Sequence, residues 1–194
     1  MKLYYAPGAC SLADHIAMHE AGLNFDRVKV DLKAKVTEDG TPFAEINPKG
    51  YVPVVEFDDG KRLTENVAIL WWIAQEAPSL APSGDDGALR LVETLAFIST
   101  EIHKQFARVF RPSSDAEATA AREKIAQRFA LVAKTMRGEY LFGDKVSVAD
   151  AYLFTMLTWA QKMSVELPPE LQAFYKRIRE RPAVKLAFEH EGLE

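Results

Sequence analysis

Leu3-Tyr4-Tyr5-Ala6-Pro7-Gly8-Ala9-Cys10-Ser11 is the stretch on which the reading of this chain turns. A short apolar run ends in Pro-Gly and a helical pattern starts at once. Leu12, Ile16 and Leu23 recur at helical spacing, with Ala13 and Ala17 beside them. The only cysteine of the chain therefore stands at a strand-to-helix turn, at or just before the first helical turn. Backbone N–H groups are unpaired there and the helix dipole is positive, so the position predicts a lowered thiol pKa and a reactive sulfur. The competing reading is a buried, inert cysteine, because free cysteine is among the most buried residue types.

Working outward, residues 2–6 read as a strand, 11–22 as a helix with Gly22 at its left-handed end, and Phe25–Asp31 as a second strand of alternating apolar and charged residues. Strand, helix and strand within about 30 residues make a βαβ unit, which predicts parallel pairing of the two strands. The polar stretch 32–50 contains a short helix near Pro42–Ile46, with Thr41 as N-cap and Pro42 at the first helical position. Val54–Phe57 and Lys61–Leu63 flank Asp58-Asp59-Gly60 and predict an antiparallel hairpin. Thr64 is then expected to cap a helix over Val67–Glu76. The predicted order is β-α-β-α-β-β-α.

Residues 79–87 are rich in Pro, Ser, Gly and Asp and read as a linker; beyond them the strand signals stop. A helix is expected from Ala88 to about Phe110, with Leu91, Leu95, Ile98, Ile102 and Val109 as its apolar stripe. A second runs from an Asp115 cap to about Arg137, closed by Gly138. Ser147-Val148-Ala149-Asp150 is a capping box with a shorter acid, and the following helix is apolar all round, as the centre of a bundle would be. Two further helices follow Pro168-Pro169 and Pro182. The division is an α/β domain over residues 1–78, a linker over 79–87 and an all-helical domain over 88–194.

The bulk composition narrows the function. The chain has 194 residues and a formal net charge of −4, with no basic stripe of the kind that nucleic acid or an anionic membrane would require. No apolar run is long enough to span a bilayer. A single cysteine forms no internal disulfide, and with no signal-peptide pattern this predicts a cytoplasmic protein. The four histidines lie scattered, without zinc-ligand spacing, so no metal is expected.

Taken together, these features resemble a cytosolic glutathione transferase, and more closely the bacterial beta class. Tyr5–Ser11 resembles the nucleophile turn of that class. Asn47-Pro48-Lys49-Gly50-Tyr51-Val52-Pro53 is similar to a family segment whose last proline is cis. Leu63–Ile69 resembles the acid-plus-polar pair at the third helix, Thr100–Lys104 the helix-four motif, and Ser147–Asp150 the family capping box. The resemblance covers the whole chain. It implies a thioredoxin-like N-terminal domain, an all-α C-terminal bundle, glutathione as co-substrate and a homodimer.

The resemblance also implies a site. Cys10 is the catalytic candidate, beside the glutathione sulfur; Tyr5 is a second one, because some classes hold the thiolate with a tyrosine near the first strand. Tyr4 and Tyr5 alternate faces, so only one of them can look into the cleft, and both also fit as strand aromatics. Ser11 is expected either to donate to the thiolate or to start the helix. His103 is placed over the sulfur as donor or proton shuttle; a satisfied histidine between domains is the alternative. Val52 and Pro53 would offer a backbone edge to the peptide ligand. Glu65 would take its ammonium or merely cap the helix, while Asn66 would help to hold a carboxylate at the helix N-terminus. Lys35, Tyr51, Thr100 and Lys104 complete the glutathione-binding set, and Phe106, Phe110 and Trp159 are the expected walls of the electrophile pocket.

Two positions depart from the class. Tyr51 stands where many members have Gln and Ala96 where they have Asn, each losing an amide. The chain is also somewhat short for the class, mainly near the linker and the C-terminus. The expected function is transfer of the glutathione thiolate to small hydrophobic electrophiles, with possible thiol–disulfide exchange through Cys10. The alternative is a non-catalytic glutathione- or ligand-binding or interaction protein of the same fold. A Cys-His hydrolase lacks a recognisable orienting group or oxyanion turn.

Overall fold

The computed structural model describes residues 1–194. Its first half is built around strand β1 (Lys2–Tyr5), which occupies the centre of a five-stranded sheet of order β3-β2-β1-β4-β5. β1 runs parallel to β2 (Asp26–Asp31) across helix α1 (Ser11–Glu20), and antiparallel to β4 (Val54–Glu56). β4 pairs antiparallel with β5 (Arg62–Thr64) around the Asp58–Gly60 turn. The alternation of β1 divides the molecule. Leu3 and Tyr5 face the large core shared with α1 and with α3 (Asn66–Glu76). Tyr4 faces a small second core with Val30, Val54 and the residues Phe43 and Ile46 of α2 (Phe43–Ile46).

The second half is helical. α4 (Gly87–Phe97) continues through a π-helical segment, Ile98–His103, into α5 (Lys104–Phe110). α6 (Asp115–Thr135) packs against α5, and α7 (Val148–Lys162) runs through the centre with every residue from Val148 to Ala160 buried. α8 (Pro169–Arg179) follows, and α9 (Pro182–Glu191) returns to pack on α1. This is a thioredoxin-like sheet domain joined to a helical bundle. Full burial of a Leu, Ile or Phe contributes roughly 1.5–3 kcal/mol, and the large core holds many of them on both sides of the join.

Several local expectations need correction. The polar stretch after β2 contains a two-residue strand, β3 (Val36–Thr37), too short to leave an alternating pattern. Pro42, not Thr41, is the N-cap of α2. Thr64 ends β5 and Glu65 takes the cap of α3, without a side-chain cap. Ser114, not Asp115, caps α6: its hydroxyl accepts from the Glu117 N–H at 3.2 Å. Gly138 does not end α6, whose C-cap is Met136. A Cβ at Gly138 would meet the Gly143 backbone at 2.9 Å, so close approach of the next loop is the reason for glycine there. The capping box is present: Ser147 N–H donates to Asp150 at 2.7 Å.

The expected unbroken helix over 88–110 is interrupted by the π segment. Ile98, Ile102 and Phe106 are all buried although they are four residues apart twice over. A regular α-helix would have turned Phe106 about 80° away from Ile98. The wider π turn absorbs that excess, as such insertions often do at functional sites.

Candidate functional site

The turn after β1 is closed by Ser11. Its hydroxyl accepts from Ala6 N–H at 3.2 Å and lies 3.4 Å from the Ala6 carbonyl, with the side chain fully buried. Ser11 thus starts the helix and is not turned to a ligand. Cys10 is the residue before α1 and is half-buried, and its Sγ donates to the Val52 carbonyl at 3.4 Å. Desolvation by burial and then the nearby Asp14 carboxyl push the thiol up to about 12, against the lowering by the Cys10 and Ser11 backbone N–H groups. The expected thiolate is overturned: burial outweighs the helix terminus, and the resting residue is a thiol.

Facing the sulfur is a cleft of about 510 Å³ between the two halves of the molecule. One wall is the Tyr51–Pro53 segment, where the Val52–Pro53 bond is cis and the Val52 N–H has no partner within the chain. The next wall is the start of α3, with Glu65, Asn66 and Val67. Glu65 has φ of 77°, a left-handed conformation that is costly for a non-glycine residue and that tends to occur at functional sites. Its carboxylate accepts from Lys49 Nζ at 2.5 Å and from Tyr51 Oη at 2.8 Å, and these bonds hold it below the usual carboxylate range. Lys49 also donates to the Thr64 hydroxyl at 2.9 Å. Asn66 turns its amide inward: Nδ2 donates to the Cys10 carbonyl at 2.8 Å and to Asp14 at 3.0 Å. Asp14 is fully buried, keeps one oxygen unpartnered, and is raised well above the usual carboxylate range by desolvation.

The roof comes from the π segment and α7. Ser99 and His103, one turn apart, line the cleft with Tyr152. His103 Nδ1 lies 2.7 Å from the Tyr152 hydroxyl, and burial lowers the imidazole to about 4, so the ring is neutral at pH 7. When the Tyr152 hydroxyl donates to Nδ1, the proton of the neutral ring sits on Nε2 and is free to be donated. The His103 ring packs edge-on against Trp159, whose Nε1 donates to the Gly8 carbonyl at 2.8 Å. One aromatic thus ties the roof to the Cys10 turn.

The structure therefore brings Cys10, Tyr51, Val52, Pro53, Glu65, Asn66 and His103 to one cleft. Others do not reach it. Tyr5 points into the large core and its hydroxyl lies 3.5 Å from the His190 carbonyl, because strand alternation sends it behind α1. Lys35 donates to the Gly50 carbonyl at 2.6 Å, and Thr100 is exposed with its hydroxyl on the Ala96 carbonyl. Lys104 is exposed as well. Phe106 is wholly buried; it stacks with the half-exposed Phe110, and both rings pack against Trp159. This aromatic group stands behind His103 and outside the lining of the cleft.

None of Ser99, Val67 and Tyr152, which line the cleft, nor the buried Asp14 that Asn66 meets, is among the expected site residues. Tyr152 lies in an apolar run with no local signal, whereas Ser99 is visible as the residue four before His103. The histidines are not scattered in the fold either: His15, His19 and His190 meet on the far side of α1.

Two family models match the chain. The glutathione S-transferase N-terminal domain covers residues 9–76 and the glutathione S-transferase C-terminal domain residues 97–182. The chain is 41% identical over 201 residues to the glutathione S-transferase GstA of Escherichia coli O157:H7, covering 100% of both chains. A sphingomonad glutathione S-transferase solved in complex with glutathione superposes with a TM-score of 0.92 at 42% identity, covering 100% of both chains. A beta class enzyme of Sphingomonas chungbukensis superposes at 0.90 with 43% identity, again over 100% of both. The chain belongs to the glutathione S-transferase family, among its bacterial beta class members.

Proposed function

We propose that this glutathione S-transferase family member joins the thiolate of glutathione to small hydrophobic electrophiles in the cleft between its two halves. The observation that carries the reading is the convergence on that cleft of a thiol, a neutral imidazole, an unpartnered backbone N–H and a helix N-terminus with a carboxylate beside it. Glutathione needs those groups. Its peptide backbone would lie along Val52. Its amino-acid end would place the carboxylate at the first N–H groups of α3 and the ammonium at Glu65.

In this reading the sulfur sits near Cys10 and under His103. Cys10, as a thiol, turns its single S–H from the Val52 carbonyl to the glutathione sulfur, and His103 donates from Nε2. Both bonds stabilise the glutathione thiolate, whose proton leaves to solvent. The thiolate then attacks the electrophilic carbon; a C–S bond forms and the leaving group departs as an anion. Residues 1–78 would supply the glutathione half of the site, 79–87 the linker and 88–194 the electrophile half. Trp159, Phe106 and Phe110 would stiffen that side from behind His103. Apolar side chains exposed on α4, Leu89 at 71% and Val92 at 41%, support a second copy of the chain as partner. No helix is long and apolar enough to cross a membrane.

A second reading, glutathione binding without turnover, is favoured by one observation: Lys49 and Tyr51 already occupy the Glu65 carboxylate. Calorimetric titration of the reduced protein with glutathione, together with conjugation of chlorodinitrobenzene, tests both. Saturable binding near one per chain with turnover is the expected result. Binding without turnover over a panel of electrophiles and disulfides supports the second reading. No binding at millimolar glutathione overturns both. Thiol–disulfide exchange through Cys10 would appear as a glutathione adduct on the protein that Cys10→Ala abolishes.

A further inference from the structure

Three of the four histidines lie together, on the opposite side of α1 from the Asn66 contact. His15 and His19 are one turn apart on α1, and His190 comes from α9. His190 Nδ1 lies 3.4 Å from His15 Nε2 and 3.3 Å from His19 Nε2. The three donor atoms fall within 4.8 Å of one another. Zinc–imidazole bonds are about 2.0–2.1 Å, so two nitrogens on a tetrahedral ion stand about 3.3–3.4 Å apart. Two of the three edges already have that length.

The rings are held in place. His15 and His190 stack with an interplanar angle of 13°, and Phe25 packs against both His15 and His19. His15 Nδ1 lies 2.8 Å from Glu191 Oε1, with both side chains fully buried. A carboxylate behind a ligating histidine is the usual arrangement at metal sites: it fixes the proton on one ring nitrogen and turns the lone pair of the other outward. With His15 protonated at Nδ1, its Nε2 lone pair faces His190 Nδ1. A single proton on His190 Nδ1 serves one neighbour well and leaves the remaining nitrogens lone pair to lone pair. A cation satisfies all three at once. Burial is the main influence that disfavours positive charge on all three rings, and the exposed Arg27 adds to it, while Glu189 and Glu191 act in the opposite direction at His190.

We propose that His15, His19 and His190 form a three-histidine site for a divalent d-block cation, zinc foremost, with Glu191 as the carboxylate behind His15 and water in the fourth position. The site joins α9 to α1. Glu191 also accepts from the Gly8 N–H at 2.8 Å, in the turn that leads to Cys10. Occupancy would therefore fasten the last helix and brace that turn from behind. The inference does not depend on what the cleft binds.

The test uses the full-length reduced protein, stripped with a chelator and titrated with cobalt(II) chloride and then zinc chloride. The expected result is one Co²⁺ per chain with the intense visible d–d bands of a four-coordinate ion, displaced by Zn²⁺. The same result is expected of Cys10→Ser, which excludes the thiol as ligand. Zinc should raise the melting temperature, because it binds only the folded chain. His190→Ala, first shown to keep its circular dichroism in chelator, should lose at least ~10²-fold in affinity if removing a ligand costs as much as the larger losses seen on removing its hydrogen-bonded support. Nitrogen-15 histidine spectra of the unmutated protein decide the matter even where variants fail to fold. Zinc must shift His15, His19 and His190 and leave His103 in place. No binding, weak six-coordinate cobalt spectra unchanged by His190→Ala, or shifts centred on His103 and Cys10 would overturn the proposal.

Discussion

The side-chain amide of Asn66 reaches across from α3 and donates to the Cys10 carbonyl at 2.8 Å and to Asp14 at 3.0 Å. The residue expected to meet a ligand carboxylate is thus also the one that fixes the Cys10 turn, and it supplies the one side-chain partner of a buried carboxyl with one free oxygen.

Asn66→Ala is therefore expected to destabilise the fold by about 1–3 kcal/mol, because it leaves the buried Asp14 carboxyl without its side-chain donor, while the Cys10 carbonyl keeps the Ala13 N–H. Urea unfolding measures this. The value of kcat/KM should fall as well, through misplacement of Cys10. A loss of stability under ~0.5 kcal/mol, the size of an ordinary surface change, would show that the contact is dispensable.

Cys10 should react slowly with small alkylating agents. With its thiol pushed up to about 12, little thiolate exists at pH 8. The greater intrinsic nucleophilicity of a basic thiolate offsets part of that deficit, leaving alkylation on the order of 10²-fold slower than for a free cysteine. Iodoacetamide labelling followed by intact mass reads the rate. Labelling as fast as glutathione itself would restore the activated thiolate.

The pH dependence of stability should carry a contribution from His103. Its folded pKa of about 4 lies below the ordinary 6.5, so the unfolded chain takes up the proton first as pH falls. The stability contributed by the neutral ring is complete above pH 6.5 and is lost progressively towards pH 4. Integration of the shift gives up to about 3 kcal/mol. The difference in unfolding free energy between the unmutated protein and His103→Gln should change across that window and be flat above it. Any limb in the pH profile of conjugation near neutrality should then belong to the bound glutathione thiol and not to His103.

Glu65→Gln should raise the KM for glutathione by roughly tenfold with kcat nearly unchanged, as expected on losing a charge-assisted bond made equally in ground and transition states. Lys49→Met, which removes the cation already paired with Glu65 at 2.5 Å, should lower KM. A fall in kcat with unchanged KM in Glu65→Gln would place that side chain at the reacting atoms instead.

Local patterns were enough for most of the architecture. The break at Pro7-Gly8, the alternation of Phe25–Asp31 and the Asp-Asp-Gly turn foretell the parallel and antiparallel pairings of β1, β2, β4 and β5. The all-round apolar run after Ser147 foretells the central helix. Such features are legible because the periods of helix and strand and the backbone needs of turns act over a few residues. Helix caps shifted by one residue, as at Pro42 and Ser114, because neighbouring residues can cap almost equally well.

What the chain order alone determined is the set of elements and the presence of Cys10, Glu65, Asn66 and His103 at helix starts and along one helix. Only the tertiary structure decided their chemistry. Burial beneath Val52 and beside Asp14 turned the expected thiolate into a thiol, because desolvation depends on what packs from other elements and not on the local helix end. Strand alternation and the packing of α9 took Tyr5 away from the cleft, and the π segment brought Ser99 and His103 to it. The same long-range packing gathered His15, His19 and His190, which no sequence spacing links, since proximity across 171 residues is a property of helix docking and leaves no trace in local periodicity.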